Sequence, residues 1–231
     1  MNNVALSVAL ATAPSSAFAE LRERPRFWFP LLLVVICTAG MAWWYYSIVD
    51  IDWLKDVMFS NNPGLQPEQR AAAMGMVTRT TLLWGSVVGT VIAVPVFFLL
   101  QALLLLLAAK ITRVALGLKH WFALACWSSL PALIGLVVAA ILLILRDTTQ
   151  IAPGVLQPLS INELLVHRPM GSPGQGFLDA VGIPGLLAWA LMIIGVHTWS
   201  QRSWLFSAAF VMIPIVGRSR RRTHRCPRSW R

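Results

Sequence analysis

The stretch SSAFAELRERPRFWFPLLLVV, Ser15 to Val35, decides how the whole chain is placed. Ala17-Phe18-Ala19 has the small-residue pattern of a signal cleavage site, and it follows the apolar run VALSVALATA. A cut there would make residues 1–19 a leader and the rest an exported chain. In the other reading, Arg22, Arg24 and Arg26 pin this end inside the cell and the next apolar run enters the membrane. A secretory leader carries positive charge ahead of its apolar core. Here only Met-Asn-Asn precedes Val4. The charge follows the supposed cut instead, where arginines oppose translocation. Residues 1–26 are therefore read as an uncleaved cytoplasmic segment.

The composition agrees with a membrane chain. Of 231 residues, 57% are hydrophobic and 12% are charged. A soluble domain carries roughly a quarter charged residues. The apolar residues come in long blocks, and blocks of about 18 or more without charge read as bilayer spans. The fold class expected is all-α, a polytopic transmembrane helical bundle with about five membrane segments.

The expected transmembrane domain is 27–217, with spans at about 27–49, 80–109, 121–145, 181–198 and 203–217. Trp28 and Phe29 at one end of span one, and Trp43, Trp44, Tyr45 and Tyr46 at the other, match the preference of aromatic rings for the two interfaces. Span two is longer than the bilayer core requires, and Pro95 is expected to bend it. Between spans one and two, DIDWLKDVMFSNNPGLQPEQR reads as a polar loop. In the long connection from Arg146 to Ala180, Ser160-Ile-Asn-Glu163 has capping-box spacing. It predicts a short helix over about Ile161–His167 at the membrane surface, followed by a GSPGQG loop.

Charge supports this orientation. With the N-terminus inside, the loop carrying Lys110, Arg113 and Lys119 is also inside. The formal net charge is +10, yet residues 218–231 alone hold seven arginines, and the body without them is close to neutral. No nucleic-acid partner is read from that appendage. Five crossings would place it outside, against the positive-inside rule. Either the fifth segment, about 15 residues, does not cross, or the basic tail 218–231 is not native to this architecture. Cys37 and Cys126 read as small apolar residues. With Cys226 in the tail they form no zinc or disulfide pattern, and no metal or cofactor is expected.

Several residues are candidates for packing or interaction. Gly85 and Gly89 have G-x-x-x-G spacing, which reads as packing within the bundle, with a dimer contact as the alternative. Pro95, Pro131, Pro184 and Pro214 put one proline in each of spans two to five. They read as helix bends, with broken helices at a solute site as the alternative. Gln101 is the amide of span two and is expected to bond a neighbouring helix. His197 lacks a second metal ligand at helical spacing. His167-Arg168 and Asp50-x-Asp52 read as solvated loop charges. GSPGQG carries no Lys-Ser/Thr and follows no strand, so it is not a phosphate loop. No catalytic constellation stands out.

Three stretches resemble the YIP1 family of multi-span membrane proteins, particularly its bacterial members. The first is Pro14-x3-Phe18-x2-Leu21-x3-Pro25, followed by Phe29-Pro30-Leu31 opening span one. The second is Ser128-Ser129-Leu130-Pro131. The third is FLDAVGIPGLLAWALMIIGVHTWSQRS, with Phe177-Leu178-Asp179, Trp189 in span four, and a glycine before Trp199-Ser200. The eukaryotic Asp-Leu-Tyr-Gly-Pro and Gly-Tyr motifs are absent, so a small GTPase partnership is not expected.

The resemblance implies a non-enzymatic scaffold or adaptor that organises other membrane or peripheral proteins, with a homo-oligomer among the options. It also implies the inner membrane if the source is bacterial. A channel or small-solute permease built on the proline-broken helices is the alternative.

Overall fold

The computed structural model describes residues 2–60 and 66–216. The basic tail, Gly217 and Cys226 lie outside the described residues. Eleven α-helices follow one another among those described, with no named strand.

Two helices precede the first long apolar run: α1 (Asn3–Thr12) and α2 (Pro14–Glu23). Asn2 caps α1 by accepting the Ala5 amide at 2.7 Å. Pro14 opens α2 at its first position, where its lost donor costs nothing. Helix α3 (Trp28–Ile48) carries the first long apolar run. Two short helices follow, α4 (Ile51–Ser60) and α5 (Pro67–Met76). The polar stretch expected as a loop therefore holds helix, because Asp50 caps α4 by accepting the Asp52 and Trp53 amides.

Helix α6 (Arg79–Thr112) runs 34 residues, about 51 Å at helical rise. It is uninterrupted at Pro95. The third apolar run forms two helices, α7 (Leu118–Ser128) and α8 (Ala132–Ile144). Helix α9 (Gln175–Ala180) begins inside the GSPGQG stretch. Helix α10 (Ile183–Ser200) is the fourth long apolar element, and α11 (Trp204–Val216) the fifth apolar segment. Pro184 sits in the first turn of α10 and frees no intrahelical carbonyl there, which corrects the expectation of a helix bend at this residue.

Four elements are long and apolar enough to cross a bilayer: Trp28–Ile48, Arg79–Thr112, Leu118–Ile144 and Ile183–Ser200. Helix α11 has 13 described residues. That is about 20 Å of rise against a core of about 30 Å.

Two compact units are distinguishable. One takes the described parts of Met1–Phe27, Phe98–Ala125 and Trp189–Arg231; the other takes Trp28–Phe97 and Cys126–Ala188. In the first, Phe18, Leu21, Leu105, Trp121, Leu124, Trp199 and Phe210 are buried. In the second, Tyr45, Val49, Ile51, Leu54, Leu143, Ile151 and Val155 form the core.

Three devices in the second unit satisfy backbone groups that apolar surroundings would leave costly. The Tyr45 hydroxyl donates to the Ile151 carbonyl at 2.7 Å. The Arg79 guanidinium donates to the carbonyls of Tyr46, Ser47 and Val49 at 2.8, 2.7 and 2.9 Å, just where α3 runs out of helical partners. At the α7–α8 break, Leu130 N–H turns back to the Trp127 carbonyl, and the Ser129 hydroxyl donates to the Cys126 carbonyl at 2.8 Å. Pro131, half-buried, sets that break because it cannot donate.

The Arg146–Ala180 connection is pinned at both ends of its last part. Ile161 N–H donates to the Val181 carbonyl and Ile183 N–H to the Leu159 carbonyl. A Cβ at Gly182 would strike the Leu159 carbonyl oxygen and lie 2.9 Å from the Ser160 Cα, so only glycine fits. The short helix expected at 161–167 is a single π-type turn, Asn162–Val166. Ser160 Oγ accepts the Glu163 amide at its start, as the capping-box spacing implied.

Candidate functional site

The residues singled out near the two ends of the sequence meet in the first unit. On α2, Ala17, Phe18 and Leu21 are buried while Arg22, Glu23 and Arg24 are exposed. The i, i+3 spacing puts Phe18 and Leu21 on one face. That face is held by α10. The Trp199 indole Nε1 donates to the Phe18 carbonyl at 2.7 Å, a bond buried on both sides. The two rings meet edge to face with centroids 6.4 Å apart.

Gly195, four residues before Trp199, makes room for this. A Cβ there would strike the Leu124 side chain and come within 3.3 Å of the Phe18 ring. The glycine ahead of the Trp-Ser turn thus has a packing reason. It lets the α2 aromatic lie on the α10 backbone between Leu124 and Trp199.

Aromatic rings extend the seat. Trp121 lies 5.6 Å from Trp199 and 5.3 Å from Phe210, centroid to centroid. His197 stacks on Trp204 at 3.9 Å and 15°. His120 meets Trp199 edge to face at 6.1 Å. Arg202 donates to the Thr112 carbonyl at 3.1 Å and covers the Phe206 ring at 4.7 Å. The buried Nδ1 atoms of His120 and His197 and the Nε1 of Trp121 have no hydrogen-bond partner. Among the described residues, no three His, Cys, Asp or Glu side chains gather where they could hold a metal ion.

The other sequence candidates lie elsewhere. Pro14 and Pro25 are half-buried, at the start and just past the end of α2. Trp189 is half-buried on α10. Gly85 and Gly89 are exposed on α6, and a Cβ at either would meet nothing within 4 Å. Their faces are thus not packed against another helix of the described chain. Gln101 donates from Nε2 to the Met192 sulfur at 3.7 Å, reaching from α6 to α10. Asp179, on α9, accepts from Gln175 Nε2 at 2.9 Å. Arg168 donates to the Pro173 carbonyl, while Asp50 caps α4, so these two loop charges have separate local tasks.

Trp199, Gly195, Tyr45 and Arg79 were not singled out as interaction or packing candidates from the sequence. A glycine four residues before a tryptophan is a usable sign of a ring seat on a helix. Nothing local marks Tyr45 or Arg79, whose partners lie 106 and about 30 residues away.

Four long apolar helices joined by polar connections, with the segment before the first of them latched onto the last, define an integral polytopic membrane protein of the α-helical class. Its sequence matches the family model of the Yip1 domain over residues 8–217, and the chain belongs to the Yip1 family. No curated protein and no solved structure matches it.

Proposed function

We propose that this protein is a non-enzymatic membrane scaffold or adaptor of the bacterial type. Its N-terminal helical pair is the platform for other membrane or peripheral proteins. The observation that carries the reading is the division of α2 into two faces. Phe18 and Leu21 are fully buried, while Arg22, Glu23 and Arg24 at neighbouring positions stay exposed. A segment held by a buried hydrogen bond yet showing charge outward is pre-organised for a partner and loses little entropy on binding.

Orientation follows from parity. Phe18 precedes the first long helix and Trp199 ends the fourth, and the two are bonded. Four crossings return the chain to the side it left. That side then collects Arg22, Arg24, Arg26, Lys110, Arg113, Lys119 and Arg202, which supports a cytoplasmic placement by the positive-inside rule. The other side collects Asp50, Asp52, Asp56, Glu68, Asp147, Glu163 and Asp179, with Lys55, Arg70, Arg79, Arg146 and Arg168 spread over two longer connections. In a bacterial cell this is the inner-membrane arrangement.

The permease alternative needs helices broken inside the bilayer. Helix α6 continues through Pro95 and Pro184 opens α10, so of these prolines Pro131, between α7 and α8, is the one that supplies such a break. The test is cross-linking in native membranes followed by purification, run beside solute-flux measurements in liposomes. A defined partner captured by the wild type and lost with Arg22→Glu/Arg24→Glu, without flux, is expected. Saturable solute flux with no partner dependence on α2 would end the scaffold reading.

A further inference from the structure

The second unit holds a cavity of about 380 Å³. Its walls include Thr38 on α3, Gly135 on α8, Gln157 and Ser160 in the long connection, Asp179 on α9 and Pro184 on α10. Asp179 is the only titratable group among the described residues lining it. Its two carboxylate oxygens are treated differently. Oδ2 accepts from Gln175 Nε2 at 2.9 Å; Oδ1 is buried and has no hydrogen-bond partner. No Lys, Arg or His forms an ion pair with it among the described residues.

A buried carboxylate oxygen without a donor is costly, and a turn of the Asp179 side chain toward a cationic donor in the cavity removes that cost. The walls narrow the chemistry. A divalent metal ion takes six or more oxygens from several acids, and here there is one acid. A quaternary ammonium favours an aromatic cage, and no aromatic ring lines this cavity. A primary ammonium has three N–H donors, is satisfied by one carboxylate with neighbouring hydroxyl or carbonyl oxygens, and forms a charge-assisted bond.

Position narrows it further. Asp179 lies four residues before the start of α10, a bilayer-spanning helix, whereas Thr38 lies midway along α3. The remaining lining is largely Ala, Gly, Leu and Pro. One end is acidic and the rest apolar, which is the profile of an amphiphile.

We propose that this cavity binds a primary ammonium group on Asp179, either the headgroup of an aminophospholipid or a free amine. The site is separate from the α2 seat and stands whether or not the scaffold reading does.

The test is native mass spectrometry of the full chain in detergent. The probes are lysophosphatidylethanolamine, its mono- and dimethyl derivatives, lysophosphatidylcholine, and ethanolamine alone. Binding is expected to fall stepwise as methyl groups replace N–H, and to weaken about tenfold or more with Asp179→Asn. Asp56→Asn, an exposed acid outside the cavity, should leave it unchanged. Retention of ethanolamine alone would assign a soluble amine, and retention only of the lysolipid would assign a membrane lipid. Equal binding of all four lipids overturns the proposal, as does binding indifferent to Asp179→Asn. Should that variant fail to fold, the methylation series on the wild type decides by itself.

Discussion

The indole of Trp199 donates to the backbone carbonyl of Phe18 at 2.7 Å, joining residues 181 positions apart in a buried bond. It fastens the chain ahead of the first span to the end of the fourth. It gives the Phe18 carbonyl, which lies inside α2 and already accepts the Arg22 amide, a second donor. Such a bond contributes on the order of 1 kcal/mol net, and without it the carbonyl keeps its donor within the helix.

Trp199→Phe keeps the ring and deletes the donor. It should loosen α2 without unfolding the spans. Trypsin cutting at the exposed Arg22 reads this directly, because Arg24 is shielded by Pro25, and cleavage of the detergent-solubilised protein should accelerate several-fold relative to wild type, as the latch opens more often. Cleavage at the wild-type rate would show that the bond does not hold the segment.

Gly195 should tolerate little. Gly195→Ala meets the tip of Leu124, a side chain that can shift, so a mild effect is expected. Gly195→Leu has to displace the Phe18 ring, at a cost of about 1–3 kcal/mol for overpacking. The graded pair, Ala then Leu, should reproduce the tryptic exposure of Trp199→Phe. A Leu variant as protease-resistant as wild type would remove Gly195 from the seat.

Arg79 spans three carbonyls at the end of α3 with one planar group. Arg79→Gln should lower the thermal midpoint in detergent by the equivalent of about 1–3 kcal/mol. Arg79→Lys should fall between, because a single ammonium cannot reproduce the forked geometry. Equal midpoints for Arg, Lys and Gln would mean the clamp contributes nothing.

Tyr45→Phe removes the hydroxyl that serves the Ile151 carbonyl and nothing else. The buried carbonyl is then unpaired, and a loss of about 1–3 kcal/mol is expected. The α2 latch lies in the other unit, so tryptic cleavage at Arg22 should stay at the wild-type rate. Acceleration there would show coupling that the hydrogen bonds do not carry.

Topology is testable with single cysteines and a membrane-impermeant maleimide. Ser16→Cys and Gln201→Cys should label from the same side, and Gln150→Cys from the opposite one. All three positions are exposed. Opposite labelling of positions 16 and 201 would break the four-crossing parity.

Much of this was legible along the chain. Apolar blocks of bilayer length are a local property, because each helix satisfies its own backbone and needs only length and hydropathy to be recognised. The long helices accordingly lie where those blocks lie, and the fifth apolar segment is visibly shorter in both readings. The small helices were less visible. Helix α4 puts only part of its surface into the core and is capped by a single side chain, Asp50, of a kind that also occurs in loops, while α5 relies on a Gln66–Gln69 capping box. Pro184 was misplaced because two residues of uncertainty at a helix start separate a harmless first-turn proline from a costly one.

By itself, the order of residues determined that this is a multi-span helical membrane protein and where its long apolar helices lie. Both depend on sums over contiguous residues, which need no knowledge of who touches whom. Only the tertiary structure decided that Phe18 is seated on Gly195 and Trp199, that Arg79 closes α3, and that one oxygen of Asp179 is left without a donor. Those facts depend on distances between parts of the chain that no local pattern encodes, and in a bilayer, where apolar surface draws helices together only weakly, such polar pairings and close glycine contacts set which faces meet.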